Sequence, residues 1–167
     1  MEVPKLTTRQ DVPQGQRTKR ICLVTGAAGF VGKGLVDRLA SQGKFDVIRA
    51  LDIVKPVAAD PRVESVKGNI LDPNGLYQHL EGVETVYHLA SLIDLREEAH
   101  HQHQLRVVNV IGTQNVINAC VRRGVQKLVY LSSAAAYFKG AGPVLTEEND
   151  ATIVPRSLLS TYAKTKQ

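Results

Sequence analysis

Val24-Thr25-Gly26-Ala27-Ala28-Gly29-Phe30-Val31-Gly32 sets three glycines at G-x-x-G-x-x-G spacing, directly behind the apolar run Ile21 to Thr25. Beyond it Leu35, Val36 and Leu39 recur at helical spacing until Gly43. A strand, a glycine turn and a helix are therefore expected. In such a turn Gly26 permits the tight bend, Gly29 clears the approach of a pyrophosphate, and Gly32 lets helix and sheet pack closely. Unpaired amides at the helix start, from Phe30 and Val31 onward, would face the anion.

Outward from this unit, short β-rich runs alternate with helical stretches. Val47 to Leu51 reads as a second strand ending at Asp52, Val63 to Val66 as a third ending at Gly68-Asn69, and Thr85 to Leu89 as a fourth. A long helix follows, with Leu105, Val108, Gly112, Val116, Ala119 and Cys120 on one apolar stripe and Gly124 as its stop. Lys127 to Leu131 is the fifth strand, and the glycines, prolines and acids between Ala136 and Ser160 describe a long loop. A helix restarts near Ser160 and has no terminator before Gln167. The pattern is α/β, a parallel sheet with helices on its faces. It reads as cut within its last helix.

Composition narrows the function. With 167 residues, 43% apolar and 22% charged, the chain can build one core, which excludes collagen-like, disordered and disulfide-stapled classes. The net charge of +5 is concentrated in residues 1–20, where Lys5, Arg9, Arg17, Lys19 and Arg20 outnumber Glu2 and Asp11. The reading is a basic flexible tail over 1–20 and a dinucleotide-binding domain over 21–167. No aromatic interleaving supports base stacking, so nucleic acid is not an expected partner. Cys22 and Cys120 fall in apolar periodic segments and read as unpaired core thiols of a reducing compartment. No membrane span and no apolar secretory segment is visible, which favours a cytoplasmic location.

Asp52 stands twenty residues beyond Gly32 at a strand end, where a carboxylate can accept both ribose hydroxyls of an adenosine. An acid there repels a 2′-phosphate, so NAD is expected over NADP; Lys33 and Lys55 soften that preference. Ser132-Ser133 closes the fifth strand, and Tyr162 and Lys166 lie four apart, on one helical face. A cation beside a phenol, together with a positive nicotinamide ring, favours the phenolate as a base. In that scheme Ser133 polarises the substrate oxygen, and Lys166 also holds the nicotinamide ribose. His100, His101 and His103 point in different directions with no evident carboxylate or thiol partner, and read as a solvated face with no metal. His88 reads as structural.

The glycine turn, Val86-Tyr87-His88-Leu89-Ala90-Ser91-Leu92-Ile93-Asp94, Val108-Asn109-Val110-Ile111-Gly112-Thr113-Gln114-Asn115-Val116, Leu128-Val129-Tyr130-Leu131-Ser132-Ser133, and the Tyr162/Lys166 pair together resemble the extended short-chain dehydrogenases/reductases. Within that group the chain is most similar to the N-terminal half of the 3β-hydroxysteroid dehydrogenase/isomerases, which implies a Rossmann-type doubly wound parallel sheet truncated before its last strands and substrate lobe, with little for the final helix to pack against and Tyr162 in solvent. The resemblance implies an NAD cofactor across the strand ends, lined by Leu89, Ala90 and Ser91, with Asn109 bracing backbone nearby. Asn69-Ile70 falls where the family has an acid and an apolar residue on the adenine; Asn keeps an acceptor oxygen and loses the charge. Ala134-Ala135-Ala136-Tyr137-Phe138 departs from the family's residues.

The expected activity is oxidation of a secondary alcohol, the 3β-hydroxyl of a steroid or sterol, with Tyr162 as base. The alternatives are a nucleotide-sugar epimerase or dehydratase, and a truncated module that binds dinucleotide without turnover. Partners implied are a small-molecule substrate and a second copy in a homodimer. A longer form with a C-terminal anchor would sit on the cytoplasmic face of the endoplasmic reticulum.

Overall fold

Ile21–Thr25 forms β1, and from Cys22 to Thr25 every residue is wholly buried. That burial needs cover on both faces, which explains a continuous apolar run in place of alternation. The computed structural model describes residues 19–94, 96, 98–136 and 159–167. After β1 come α1 (Phe30–Gln42), β2 (Val47–Asp52), β3 (Val63–Lys67), α2 (Pro73–His79), β4 (Val83–His88), α3 (Ala99–Arg106), α4 (Gly112–Arg123), β5 (Lys127–Tyr130) and α5 (Thr161–Lys166). The strands lie in the order β3-β2-β1-β4-β5, and every pair is parallel. The expected doubly wound Rossmann-type sheet is therefore present. Its strand order reverses between β1 and β4, the position where such sheets open a crevice at their C-terminal ends.

Successive β1 side chains serve opposite cores. Cys22 and Val24 pack with Val36, Leu39, Ala40 and Phe45 beneath α1, while Leu23 packs with Leu76, Leu80, Val116, Ala119 and Cys120 beneath α2 and α4. Full burial of each large aliphatic side chain contributes about 1.5–3 kcal/mol. Gly43 and Gly124 end α1 and α4 in the left-handed conformation, as their positions in the sequence predict. Both cysteines are buried and unpaired, and burial pushes the Cys22 thiol up to about 12. Among the described residues no helix is long and apolar enough to cross a membrane.

Three features differ from the sequence expectation. α2 was not anticipated; Asp72 caps it by accepting Asn74 N–H at 3.1 Å, and Pro73 opens its first turn. The long helix is not uniform, since Val107–Ile111 forms a π turn between α3 and α4 that turns Asn109 inward to 2% exposure. The final helix is packed: Ala163 and Lys166 are buried and Tyr162 is half-buried, against the expectation of a solvent-facing tyrosine. Ser160 caps α5 by accepting Ala163 N–H. The tail as far as residue 18 and the loop from 137 to 158 lie outside the described residues, as do Tyr137 and Phe138.

Candidate functional site

The crevice between β1 and β4 is a cleft of about 340 Å³ lined by Gly26, Gly29, Asp52, Asn69, Ile70, Leu89, Ala90 and Ser91. A recess of about 240 Å³ shares Gly26, Gly29, Leu89 and Ser91 with it and extends to Phe30, Val31, Gly32, Ser132, Tyr162 and Lys166. An elongated two-ended ligand would span both. Gly26 has φ +73°, and a Cβ there would lie 2.7 Å from Ala90 N; a Cβ on Gly32 would run into the Gly26 carbonyl oxygen. The turn thus brings backbone against backbone as no side-chain-bearing residue allows. No side chain caps α1, whose N-cap is Gly29, and its first turn carries no acid. That end of the helix offers backbone amides and positive dipole to an anion, which fits a dinucleotide's pyrophosphate.

At the far end of the cleft, Asp52 Oδ2 accepts Ala28 N–H at 3.0 Å and Oδ1 accepts Val54 N–H at 3.2 Å. The carboxylate is fixed by two amides and remains half-exposed toward the cleft. Asn69 is exposed and its Oδ1 accepts Leu71 N–H at 2.9 Å, so the acceptor oxygen expected at the adenine already serves a local turn. Ile70 is 5% exposed and packs in the core; a Cβ on Gly112 would meet its Cδ1 at 2.5 Å.

At the other end, Lys166 Nζ donates to the Leu131 carbonyl at 3.1 Å and sits 5.0 Å from the centroid of the Tyr130 ring. Burial lowers its pKa from the ordinary lysine value. Ser132 Oγ donates to the Lys166 carbonyl at 2.8 Å, whereas Ser133 Oγ accepts Ala135 N–H at 3.2 Å. Ser132's proton is therefore committed, and Ser133 keeps its own for another acceptor. Tyr162 and Lys166 both line the recess, as their spacing predicts, and Ser132, which the sequence reading passed over, lines it with them.

Residues 23–167 match the model of the 3-beta hydroxysteroid dehydrogenase/isomerase family. The chain belongs to this family. It is 36% identical over 135 residues to the sterol-4-alpha-carboxylate 3-dehydrogenase, decarboxylating, of Bos taurus, an alignment covering 78% of this chain and 34% of that protein. To the 3beta-hydroxysteroid-dehydrogenase/decarboxylase isoform 2 of Arabidopsis thaliana it is 33% identical, over 80% of this chain and 25% of that one. Among solved structures, the dTDP-glucose 4,6-dehydratase DesIV from Streptomyces venezuelae, with NAD bound, superposes with a TM-score of 0.75 at 30% identity, over 87% of this chain and 48% of that chain. MoeE5 in complex with UDP-glucuronic acid and NAD gives 0.73 at 35% identity, over 87% and 45%. The chain thus spans about a quarter to a third of these curated relatives and about half of these solved chains.

Two further placements refine the site of this 3β-hydroxysteroid dehydrogenase/isomerase family member. Asn109 lies beneath the cleft instead of in its lining: its side chain accepts Leu92 N–H at 2.7 Å and donates to Leu92 O at 2.9 Å and to Thr165 Oγ1 at 3.0 Å. It braces backbone, and its reach to the cofactor cleft runs through Leu92. The histidine run does have carboxylate neighbours: His101 Nδ1 is 3.1 Å from Asp94 and its Nε2 is 3.4 Å from Glu98. Asp94, also gripped by Arg96, is held well below the usual carboxylate range. Asp94 and Arg96 form an ion pair at 2.6 Å, and no cluster suited to a metal occurs among the described residues.

Proposed function

We propose that the chain carries the coenzyme-binding half of an NAD-dependent oxidoreductase acting on a secondary alcohol, the 3β-hydroxyl of a sterol or steroid. One observation carries the substrate class. The recess that holds Tyr162 and Lys166 is rimmed by apolar side chains, with Phe30 98%, Ile93 70%, Val31 53% and Leu131 46% exposed. Among the described residues Lys166 is the charged group in its lining, and it is tied to Leu131. Such a rim gains from covering a fused-ring hydrocarbon and offers nothing to a second diphosphate.

In this reading the N-terminus of α1 and Gly26, Gly29 and Gly32 hold the coenzyme's pyrophosphate, and Asp52 takes the adenosine ribose, which favours NAD over NADP. Leu89, Ala90 and Ser91 form the wall between the two ends. A bound nicotinamide supplies the acceptor for the carbinol hydride. Tyr162 accepts the hydroxyl proton, Ser133 donates to the same oxygen, and the Lys166 ammonium favours the phenolate beside it and reaches the nicotinamide ribose.

A second reading, a nucleotide-sugar epimerase or dehydratase, draws on the identity of 30% and 35% to the two nucleotide-sugar enzymes above. The first test is calorimetric titration with NAD and NADP. The second is reduction of NAD by a 3β-hydroxysteroid against UDP-glucose, in the chain extended to full family length. NADH formed with the steroid alone is expected; NADH or epimer formed with the sugar nucleotide alone selects the second reading.

A further inference from the structure

Beneath the cleft runs a single directional hydrogen-bond chain. Ala90 N–H donates to Thr25 Oγ1 at 3.2 Å, Thr25 Oγ1 lies 2.7 Å from His88 Nδ1, His88 Nε2 lies 2.9 Å from Thr113 Oγ1, and Thr113 Oγ1 donates to the Asn109 carbonyl at 2.6 Å. Proton counting fixes the imidazole. Thr113 has one hydroxyl proton, and it is on Asn109, so Thr113 must accept from His88 and the ring proton is on Nε2. Nδ1 then presents a lone pair, to which Thr25 donates. The opposite tautomer would set lone pair against lone pair at Thr113 and leave the Thr25 proton without its acceptor.

Both ends of this chain are parts of the site. Thr25 precedes Gly26, and Ala90 is the backbone against which Gly26 turns, at 2.7 Å from where its Cβ would stand. Asn109 grips Leu92 through both its N–H and its carbonyl, and donates to Thr165, whose hydroxyl bonds the Tyr162 carbonyl at 2.7 Å. We propose that His88, locked as the Nε2–H tautomer by Thr113, is a positioning residue that holds the Gly26 turn and the Asn109 brace of the Tyr162 helix in one register. The inference rests on the coenzyme reading of the cleft. His88 is 1% exposed, and the titratable groups facing it are Lys166 and the stacked Tyr130 ring, 5.6 Å away. Burial first, and Lys166 second, bring its pKa down to about 4, which keeps the ring neutral near neutral pH.

The test compares the protein with Thr113→Val, which has nearly the same shape without the hydroxyl, and with Thr113→Ser, which restores it. Nitrogen-15 NMR of histidine-labelled protein should find His88 protonated on Nε2 in the unsubstituted protein and in T113S, with that single tautomer lost in T113V. Calorimetric titration should show NAD affinity falling about tenfold in T113V, as for one buried hydrogen-bonding partner removed, and within about twofold of normal in T113S. An Nδ1–H tautomer in the unsubstituted protein overturns the proposal without recourse to any variant. The assigned tautomer with unchanged NAD affinity in T113V overturns the positioning role and leaves the coenzyme reading standing. Absence of coenzyme binding in the unsubstituted protein overturns both, and the tautomer signal tells that outcome from the others.

Discussion

The Asp52 carboxylate receives the backbone N–H of Ala28 at 3.0 Å, which ties the acid at the end of β2 to the glycine turn between β1 and α1. The tie explains how a surface acid is held at one place over the cleft: one oxygen serves Ala28, the other serves Val54, and each keeps a second lone pair for a ligand hydroxyl. Asp52→Asn keeps the shape and one acceptor but removes the charge. NAD affinity is expected to fall about 10-fold to 100-fold, the range for hydrogen bonds to charged groups, while NADP affinity rises because a 2′-phosphate is no longer repelled. Parallel calorimetric titrations with the two coenzymes read the outcome; an unchanged ratio between them removes Asp52 from the discriminating role.

Two glycines eight residues apart, in opposite surroundings, should respond oppositely to alanine. Gly26 combines φ +73° with a Cβ position 2.7 Å from the Ala90 backbone, whereas Gly34 lies within α1 and a Cβ there meets nothing within 4 Å. Gly26→Ala is expected to cost at least about 2 kcal/mol, from the left-handed conformation plus the clash, and to abolish coenzyme binding. Gly34→Ala should gain about 0.5–1 kcal/mol from helix propensity and a less flexible unfolded chain. Urea unfolding of both variants measures the pair, and destabilisation by G34A would contradict the open surface described for α1.

Legibility in the sequence followed locality. The β1–turn–α1 unit, the glycine stops at Gly43 and Gly124 and the helical restart at Ser160 were legible because each depends on residues within a few positions of one another. α2 escaped because seven residues carry little periodicity, although Asp72-Pro73 is a legible cap and first turn. The π turn escaped because one widened turn leaves the stripe from Leu105 to Cys120 intact while redirecting Asn109. The partners of His88, Thr25 and Thr113, are 63 and 25 residues away in the chain and meet it only through sheet register and helix packing. Asp94 lies 3.1 Å from His101 although the two are seven positions apart, outside the i,i+3 and i,i+4 spacings that place side chains together on a helix.

The two adjacent serines should separate cleanly. Ser132 spends its proton on the Lys166 carbonyl, and Ser133 accepts Ala135 N–H and keeps a proton to give. If Ser133 polarises the reacting oxygen, Ser133→Ala lowers kcat by about 10²–10³-fold, the loss typical of a removed oxyanion donor. Ser132→Ala should lower stability by about 1 kcal/mol, one hydrogen bond, with kcat within about tenfold. Steady-state kinetics in the full-length enzyme, with unfolding curves alongside, distinguish the two; the reverse order of kcat losses would transfer the role to Ser132.

Acid should weaken the fold through His88 before Asp60 is protonated. The His88 imidazole titrates at about 4 in the folded chain against an ordinary 6.5, so between these values the unfolded chain takes up a proton that the folded chain refuses. Stability is complete above about pH 6.5 and is lost as pH falls toward 4, by on the order of 3 kcal/mol. Asp60, held at about 2 by Arg62, adds a further loss centred between its ordinary value of 3.8 and about 2, lower than the centre of the His88 window. Urea unfolding at pH 7 and at pH 4.5 should therefore differ, and NMR titration of the His88 ring should find its midpoint near 4. A ring that titrates near 6.5 would mean that the Thr25–His88–Thr113 arrangement admits the charged form, and the acid sensitivity would have to come from another group.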